Sequence, residues 1–170
     1  SVASDMTAFS ATDPIPQGRD LRAHYPDAEA IVISVGRLVK EKNFPLLIRA
    51  FAEVVVSHSA ARLVIVGSGP EETALRELAA ARGLSEHVSF VSWTGDVAAY
   101  MRSADIFALS SYREGWCRAI IEGMSAGIPG VVTDVGCVGE AFINERHGLV
   151  VPVDDDLLAR FLFPLFRKGL

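Results

Sequence analysis

A doubly wound, mainly parallel α/β sheet of about six strands, with helices on both faces, is the fold class this sequence predicts. Short, fully apolar runs such as AIVISVG, RLVIVG and DIFALS recur along the chain, and amphipathic stretches of helical period separate them. Strands covered on both faces read as continuous apolar runs, and strands alternating with helices form parallel sheets through helical crossovers. The chain has 170 residues, half of them hydrophobic, which is enough for one substantial core.

Residues 1–29 are rich in Ser, Ala, Asp and Pro without a sustained apolar period, which predicts a linker with a short helix near 20–24. AIVISVG then predicts the first strand, followed by a helix over about 45–57. RLVIVG predicts the second, with a helix over about 70–82. VSFVS follows, with a helix near 97–102 and Asp96 as its N-cap. DIFALS leads into the helix that contains Glu122, and GVVTD into a short helix near 138–143. GLVVPV precedes a final helix in which Pro164 removes an amide donor and predicts a kink or a stop. Phe161, Phe163 and Phe166 exceed one face of that helix and are expected to meet another domain or a second copy.

The net charge of -5, from 16 basic and 21 acidic side chains, provides no basic footprint for nucleic acid and no polybasic face for anionic lipid. Cys117 and Cys137 lack paired or metal-like spacing and read as ordinary thiols of a reducing compartment. His24, His58, His87 and His147 are scattered without metal-ligand spacing, so no metal site is expected. No apolar run approaches the roughly 20 residues of a membrane span, and the start lacks the order of a signal peptide. A soluble, cytoplasmic protein is the expectation, and the non-methionine start suggests a piece of a longer chain.

Ligands of doubly wound sheets bind beyond the carboxyl ends of the strands, where the winding reverses. That directs attention to residues 36–43, 67–70, 92–96, 110–115 and 134–139. GRLVKEKN carries Arg37 and Lys42 behind Gly36, just ahead of a helix N-terminus. Two cations beside free N–H groups suit phosphates, although a solvated loop would look the same. GSGPEE, in contrast, disfavours a phosphate: Pro70 fits the first helical position, and Glu71 and Glu72 put negative charge where the anion would sit. Its two glycines read as turn geometry, since residue 72 is not the third glycine of a dinucleotide fingerprint. A nicotinamide oxidoreductase would need G-x-G-x-x-G after the first strand, where the chain reads SVGRLV, and no P-loop is present. WTGD places Trp93 and Thr94 at the end of the third strand, where Trp93 either borders a base pocket or packs at the core edge.

SSYREGWCRAIIEGMSAG is the most informative stretch. Glu114 falls in a polar turn, and Gly115 allows a close approach of backbone. Glu122 lies roughly two turns into a helix that starts near Trp116 or Cys117. Ile120, Ile121 and Met124 mark its buried side, with Gly123 and Ala126 for close packing. Without a function, Glu122 would be a solvent-facing helical glutamate and Glu114 a loop charge favourable to the helix dipole.

In order, these pieces resemble the C-terminal, donor-binding domain of retaining glycosyltransferases of the group 1 family, one half of the GT-B architecture of two facing Rossmann-like domains. SVGRLVKEKN is similar to the family's G-R-x-x-x-x-K-[GN] loop, VGSGP to its second turn, EGWCRAIIE to its E-x(7)-E spacing, and TDVG and HGLVVPVDD to its last elements. SDMTAFSATDP resembles the segment that enters this domain. The resemblance implies residues 30–170 as the donor domain, 1–29 as an interdomain linker, and an N-terminal acceptor domain beyond these residues, without which transfer would fail. It implies that Arg37 and Lys42 bind the diphosphate of a UDP-, GDP- or ADP-sugar and that Glu122 holds the ribose. Glu114 would face the transferred sugar as the catalytic carboxylate, Gly115 and Trp116 would lie near the phosphates or sugar, and Trp93 and Thr94 would border the base. No metal and no further cofactor is implied. The acceptor would be a sugar or a lipid-linked sugar in polysaccharide, lipopolysaccharide or glycolipid synthesis, with peripheral membrane association through the missing domain. A non-catalytic nucleotide-sugar or phosphate-binding α/β module is the alternative. The family often has glycine or proline where Cys117 stands.

Overall fold

The computed structural model describes residues 20–93, 95–152, 158–160, 162 and 164. Its strands are β1 (Ile31–Val35), β2 (Arg62–Val66), β3 (Val88–Val91), β4 (Ile106–Leu109), β5 (Gly130–Thr133) and β6 (Gly148–Val151), all pairing in parallel. Their spatial order is β3-β2-β1-β4-β5-β6. The connecting helices are α1 (Leu21–His24), α2 (Phe44–Ser57), α3 (Glu72–Ala81), α4 (Val97–Arg102) and α5 (Arg118–Ser125).

The strands form here because their residues can be buried on both sides. All five positions of β1 and all four of β4 are buried, and the period of two sends alternate side chains to opposite faces. Val32, Leu63, Ile65, Ile106 and Ala108 join Phe44, Leu47, Phe51 and Val54 of α2 and Leu75 of α3 in one core layer. Ile31, Ile33, Val64, Phe107 and Leu109 join Leu21, Met101 and Ile120 of α1, α4 and α5 in the other. The chain therefore winds outward from β1 on one face through α2 and α3, then returns to β4 and winds outward on the other. That reversal leaves a crevice at the carboxyl ends of β1 and β4.

Most predicted elements appear, with local corrections. α3 begins at Glu72 with Glu71 as its N-cap. Pro70 precedes it in a turn rather than opening it, because the Glu71 amide donates to the Leu38 carbonyl and the Glu72 amide to Gly69. α5 begins at Arg118, one or two residues later than expected, since Cys117 takes a left-handed conformation with φ 48°. Ile120, Gly123 and Ala126 are buried, whereas Ile121 and Met124 are half-buried. Residues 138–143 form turns and isolated bridges rather than a helix. Gly136 and Gly139 there take φ 64° and 85°, and the Cys137 carbonyl accepts from the amides of Glu140, Ala141 and Phe142. The segment is anchored by Phe142, whose side chain is 1% exposed.

Asp96 caps α4 by accepting from the Ala99 amide. Asp20 does the same for α1, accepting from the amides of Arg22 and Ala23. Residues 158–160, 162 and 164 are helical. Thr94, Phe161, Phe163, Phe166 and residues 1–19 lie outside the described residues.

Candidate functional site

The loops leaving β1 and β4 are joined by hydrogen bonds across the crevice. The Ser110 hydroxyl donates to the carbonyls of Lys42 and Asn43 at 3.0 and 2.9 Å. The Tyr112 amide donates to the Glu41 carbonyl at 2.9 Å. Asn43, buried and left-handed at φ 47°, ends a 3-10 turn over Lys40–Lys42 and starts α2. Behind them, the Thr133 hydroxyl at the end of β5 donates to the Ser111 carbonyl at 2.7 Å. Gly136 packs beneath the Glu114 turn, so closely that a Cβ there would stand 2.9 Å from the Gly115 carbonyl oxygen.

This frame brings Lys42 and Glu114 together across 72 residues of sequence. Lys42 Nζ lies 2.5 Å from Glu114 Oε1, and the side chains are only 21% and 9% exposed. The Ser111 hydroxyl donates to the same oxygen at 2.6 Å. Oε2 has no partner among the described residues. The aliphatic stem of Lys42 crosses the end of β1 beside Gly36, where a Cβ would lie 3.4 Å from Lys42 Cε. Contacts this short between ionised groups are the stronger class of hydrogen bond and hold both side chains in fixed positions.

The remaining predicted residues are arranged around this pair. Arg37 is exposed on the same loop, and its side chain makes no hydrogen bond or ion pair among the described residues. Trp93 and Trp116 are each 59% exposed at the carboxyl edge, so Trp93 is not packed at the core edge. The Trp93 amide donates to the Ser68 hydroxyl at 3.1 Å. Around Gly115 an added Cβ would meet open space rather than another part of the chain. A cleft of about 750 Å³ lined by Lys40, Glu41, Tyr112, Arg113, Glu114 and Gly115 opens there. A larger hollow of about 960 Å³ lies at the opposite, amino edge of the sheet and contains none of the predicted site residues.

Glu122 does not join the Lys42–Glu114 pair. It sits on α5 beside Arg118, 3.7 Å away, with 15% of its side chain exposed. Burial raises its pKa above the ordinary 4.5, and Arg118 offsets part of the rise. Burial, with Glu114 adding to it, pushes the Cys117 thiol up to about 12. A thiol so far from ionisation is no nucleophile at neutral pH. Among the described residues, no group of three or more His, Cys, Asp or Glu is placed to hold a metal ion. No helix among them is long and apolar enough to cross a membrane.

Sequence reasoning did not single out Ser111, whose hydroxyl holds Glu114, nor Tyr112, which is 59% exposed over the cleft. Their one signal is position, as polar residues directly after an apolar strand.

Known proteins share the sequence pattern and the fold of this chain. Residues 22–162 match the profile of the family described as Glycosyl transferases group 1. The chain is 30% identical over 149 residues to the lipopolysaccharide core biosynthesis glycosyltransferase LpsD of Rhizobium meliloti, covering 88% of this chain and 42% of that protein. It is 33% identical over 129 residues to the N-acetylgalactosamine-N,N'-diacetylbacillosaminyl-diphospho-undecaprenol 4-alpha-N-acetylgalactosaminyltransferase of Campylobacter jejuni, covering 75% of this chain and 34% of that one. Anabaena HepE, solved in complex with UDP-glucose, superposes with a TM-score of 0.80 at 23% identity over 96% of this chain and 46% of HepE. The chain thus spans less than half the length of these relatives. With a profile match across most of its length and a sheet of the same architecture, it belongs to the glycosyl transferases group 1 family.

Proposed function

We propose that this chain is the donor-binding half of a retaining glycosyltransferase that takes its sugar from a nucleoside-diphosphate sugar. The observation that carries the proposal is the placement of Lys42 against Glu114 at the crevice where the sheet reverses, with Arg37 exposed on the same loop as Lys42. A cation against a carboxylate matches the two charges that develop in such a reaction. As the glycosidic bond to the donor breaks, negative charge grows on the departing diphosphate and positive charge on the anomeric carbon. Preplaced cations stabilise the first more than they stabilise the ground state, so they lower the barrier rather than merely tighten binding. Arg37 and Lys42 supply that charge in this proposal, without a metal ion. Glu114, with Oε2 free, orients the sugar and stabilises its oxocarbenium character. Glu122 accepts from the ribose hydroxyls, and the exposed turn at Trp93 borders the base.

The acceptor is a sugar or a lipid-linked sugar bound by a separate N-terminal domain, working on the cytoplasmic side of the membrane. The glycosyltransferase relatives named for lipopolysaccharide core synthesis and for a diphospho-undecaprenol substrate support this class of acceptor.

The test is calorimetry of UDP, GDP and ADP on this chain. One of them binds, and Arg37→Ala and Lys42→Ala each weaken it by about ten- to a hundredfold, the range of a charge-assisted hydrogen bond. Binding unaffected by both substitutions would remove the basis for donor recognition here.

A further inference from the structure

We infer that Glu114 and the donor's diphosphate compete for Lys42, and that Ser111 is the positioning residue that keeps Glu114 in place when Lys42 leaves it. The inference rests on the donor-binding reading and adds an exchange of partners to it. The Lys42 ammonium is already engaged by the protein, 2.5 Å from Glu114 Oε1 and largely covered. It cannot give a nucleoside diphosphate its full charge while it neutralises that carboxylate, so donor binding must loosen the pair. A carboxylate left in that position without a counter-charge would be unstable, because it is only 9% exposed.

Ser111 meets that need. Its side chain is fully buried, and its hydroxyl donates to the same Oε1 at 2.6 Å. Its carbonyl is itself held by Thr133 at the end of β5. The serine is therefore fixed to the sheet rather than to the lysine, and its bond to Glu114 survives when Lys42 turns to phosphate. Oε2 stays directed to the sugar through the exchange. The carboxylate thus has a mobile partner on the β1 loop and a fixed one on the β4 loop, both on one oxygen.

The experiment measures affinity for whichever of UDP, GDP and ADP binds this chain most tightly, in wild type, Glu114→Gln, Lys42→Met and the double variant, with thermal melts to confirm folding. Glu114→Gln releases Lys42 and should tighten the nucleotide by about tenfold, within the usual range of coupling between contacting residues. In the Lys42→Met background the same substitution should give no gain, because the carboxylate then has no lysine to withhold. Ser111→Ala should act in the opposite direction, weakening the nucleotide about threefold because Lys42 becomes the sole partner of Oε1. That loss should vanish when Glu114→Gln is added, which a purely structural role for the hydroxyl would not produce.

If Glu114→Gln leaves affinity unchanged, or its gain persists without Lys42, the exchange is wrong, since the carboxylate would then be silent or would simply repel the anion. In that case donor recognition itself still stands, provided that Lys42→Met weakens binding. If Lys42→Met has no effect, or no nucleotide binds the wild type, the donor-binding reading falls and takes the exchange with it.

Discussion

The turns that follow β1 and β2 lie side by side at the same edge of the sheet, and both begin with a glycine behind an apolar strand. Their glycines act differently. After β1, Gly36 lies beside the stem of Lys42, where a Cβ would stand at an ordinary 3.4 Å from Cε, and the loop carries Lys42 to Glu114. After β2, Gly67 and Gly69 make room for the β1 loop itself: an added Cβ would stand 1.9 Å from the Gly36 carbonyl oxygen and 2.4 Å from that of Leu38. Neither requires a positive φ. The Glu71 amide is already taken by the Leu38 carbonyl, so the second turn braces the first and has that group closed to a ligand. A glycine-rich turn before a helix is therefore poor evidence of a phosphate site until its neighbour is known.

The comparison can be broken most directly at Gly67. Gly67→Ala forces backbone apart and should destabilise the fold by about 3 kcal/mol or more, at or beyond the upper range for an overpacked site. Gly36→Ala meets only a flexible side chain at 3.4 Å, an ordinary contact, so its melt should move by less than about 1 kcal/mol and nucleotide affinity should change little. Equal destabilisation by both would erase the distinction between a bracing turn and a presenting one.

Charge sharpens the same contrast with smaller effects. On α5, Glu122 is half-buried, with its pKa raised by desolvation. A carboxylate whose folded pKa is raised favours folding at low pH and loses that contribution as pH climbs through the raised value. Glu122→Gln should therefore melt higher than wild type near pH 7, with the difference closing below the ordinary value of 4.5. In the β2 turn, Glu72 stands in the first turn of α3 and pairs with Arg76 at 2.8 Å. Glu72→Gln should have the opposite sign, a loss of about 0.3–0.5 kcal/mol that added salt reduces. Denaturant titrations at pH 4 and pH 7 would read both. Opposite signs are what a desolvated carboxylate and a helix-supporting one require.

Cys117 is a smaller case at the same edge. It opens α5 at φ 48°, in a region where glycine is freest. Cys117→Gly should thus be tolerated to within about 1 kcal/mol, the relief of strain offsetting the lost burial of the thiol. A β-branched valine at this position should fare much worse, since its φ preference excludes that region. Thermal melts of the two variants would show the difference.

Much of the molecule was legible in the residue order. Apolar runs of four or five residues can hardly be anything but buried strands when amphipathic helices separate them, so the six strands and the positions of α2 and α4 followed from patterning. Arg37, Lys42 and Glu114 stood out as charges at strand ends, but a solvated loop would look the same, and only the resemblance to a family motif suggested roles for them. Failures came where local pattern competes with tertiary contact. Residues 138–143 have a helix-like composition, but Gly136, Gly139 and Glu145 around them take positive φ and the chain is pinned by Phe142 instead. Trp93 was ambiguous because an aromatic at a strand end suits a core edge and a ligand rim equally, and only its exposure decides.

By itself, then, the sequence determined the fold class and the strand ends that carry the chemistry, since burial and periodicity are local properties of the chain. Only the tertiary structure decided which charges meet. Lys42 and Glu114 pair across 72 residues because β1 and β4 are neighbours where the winding reverses, and Gly67 is constrained by a carbonyl from another loop. Strand order and loop contact depend on how crossovers pack on the faces of the sheet, and no stretch of sequence contains that information alone.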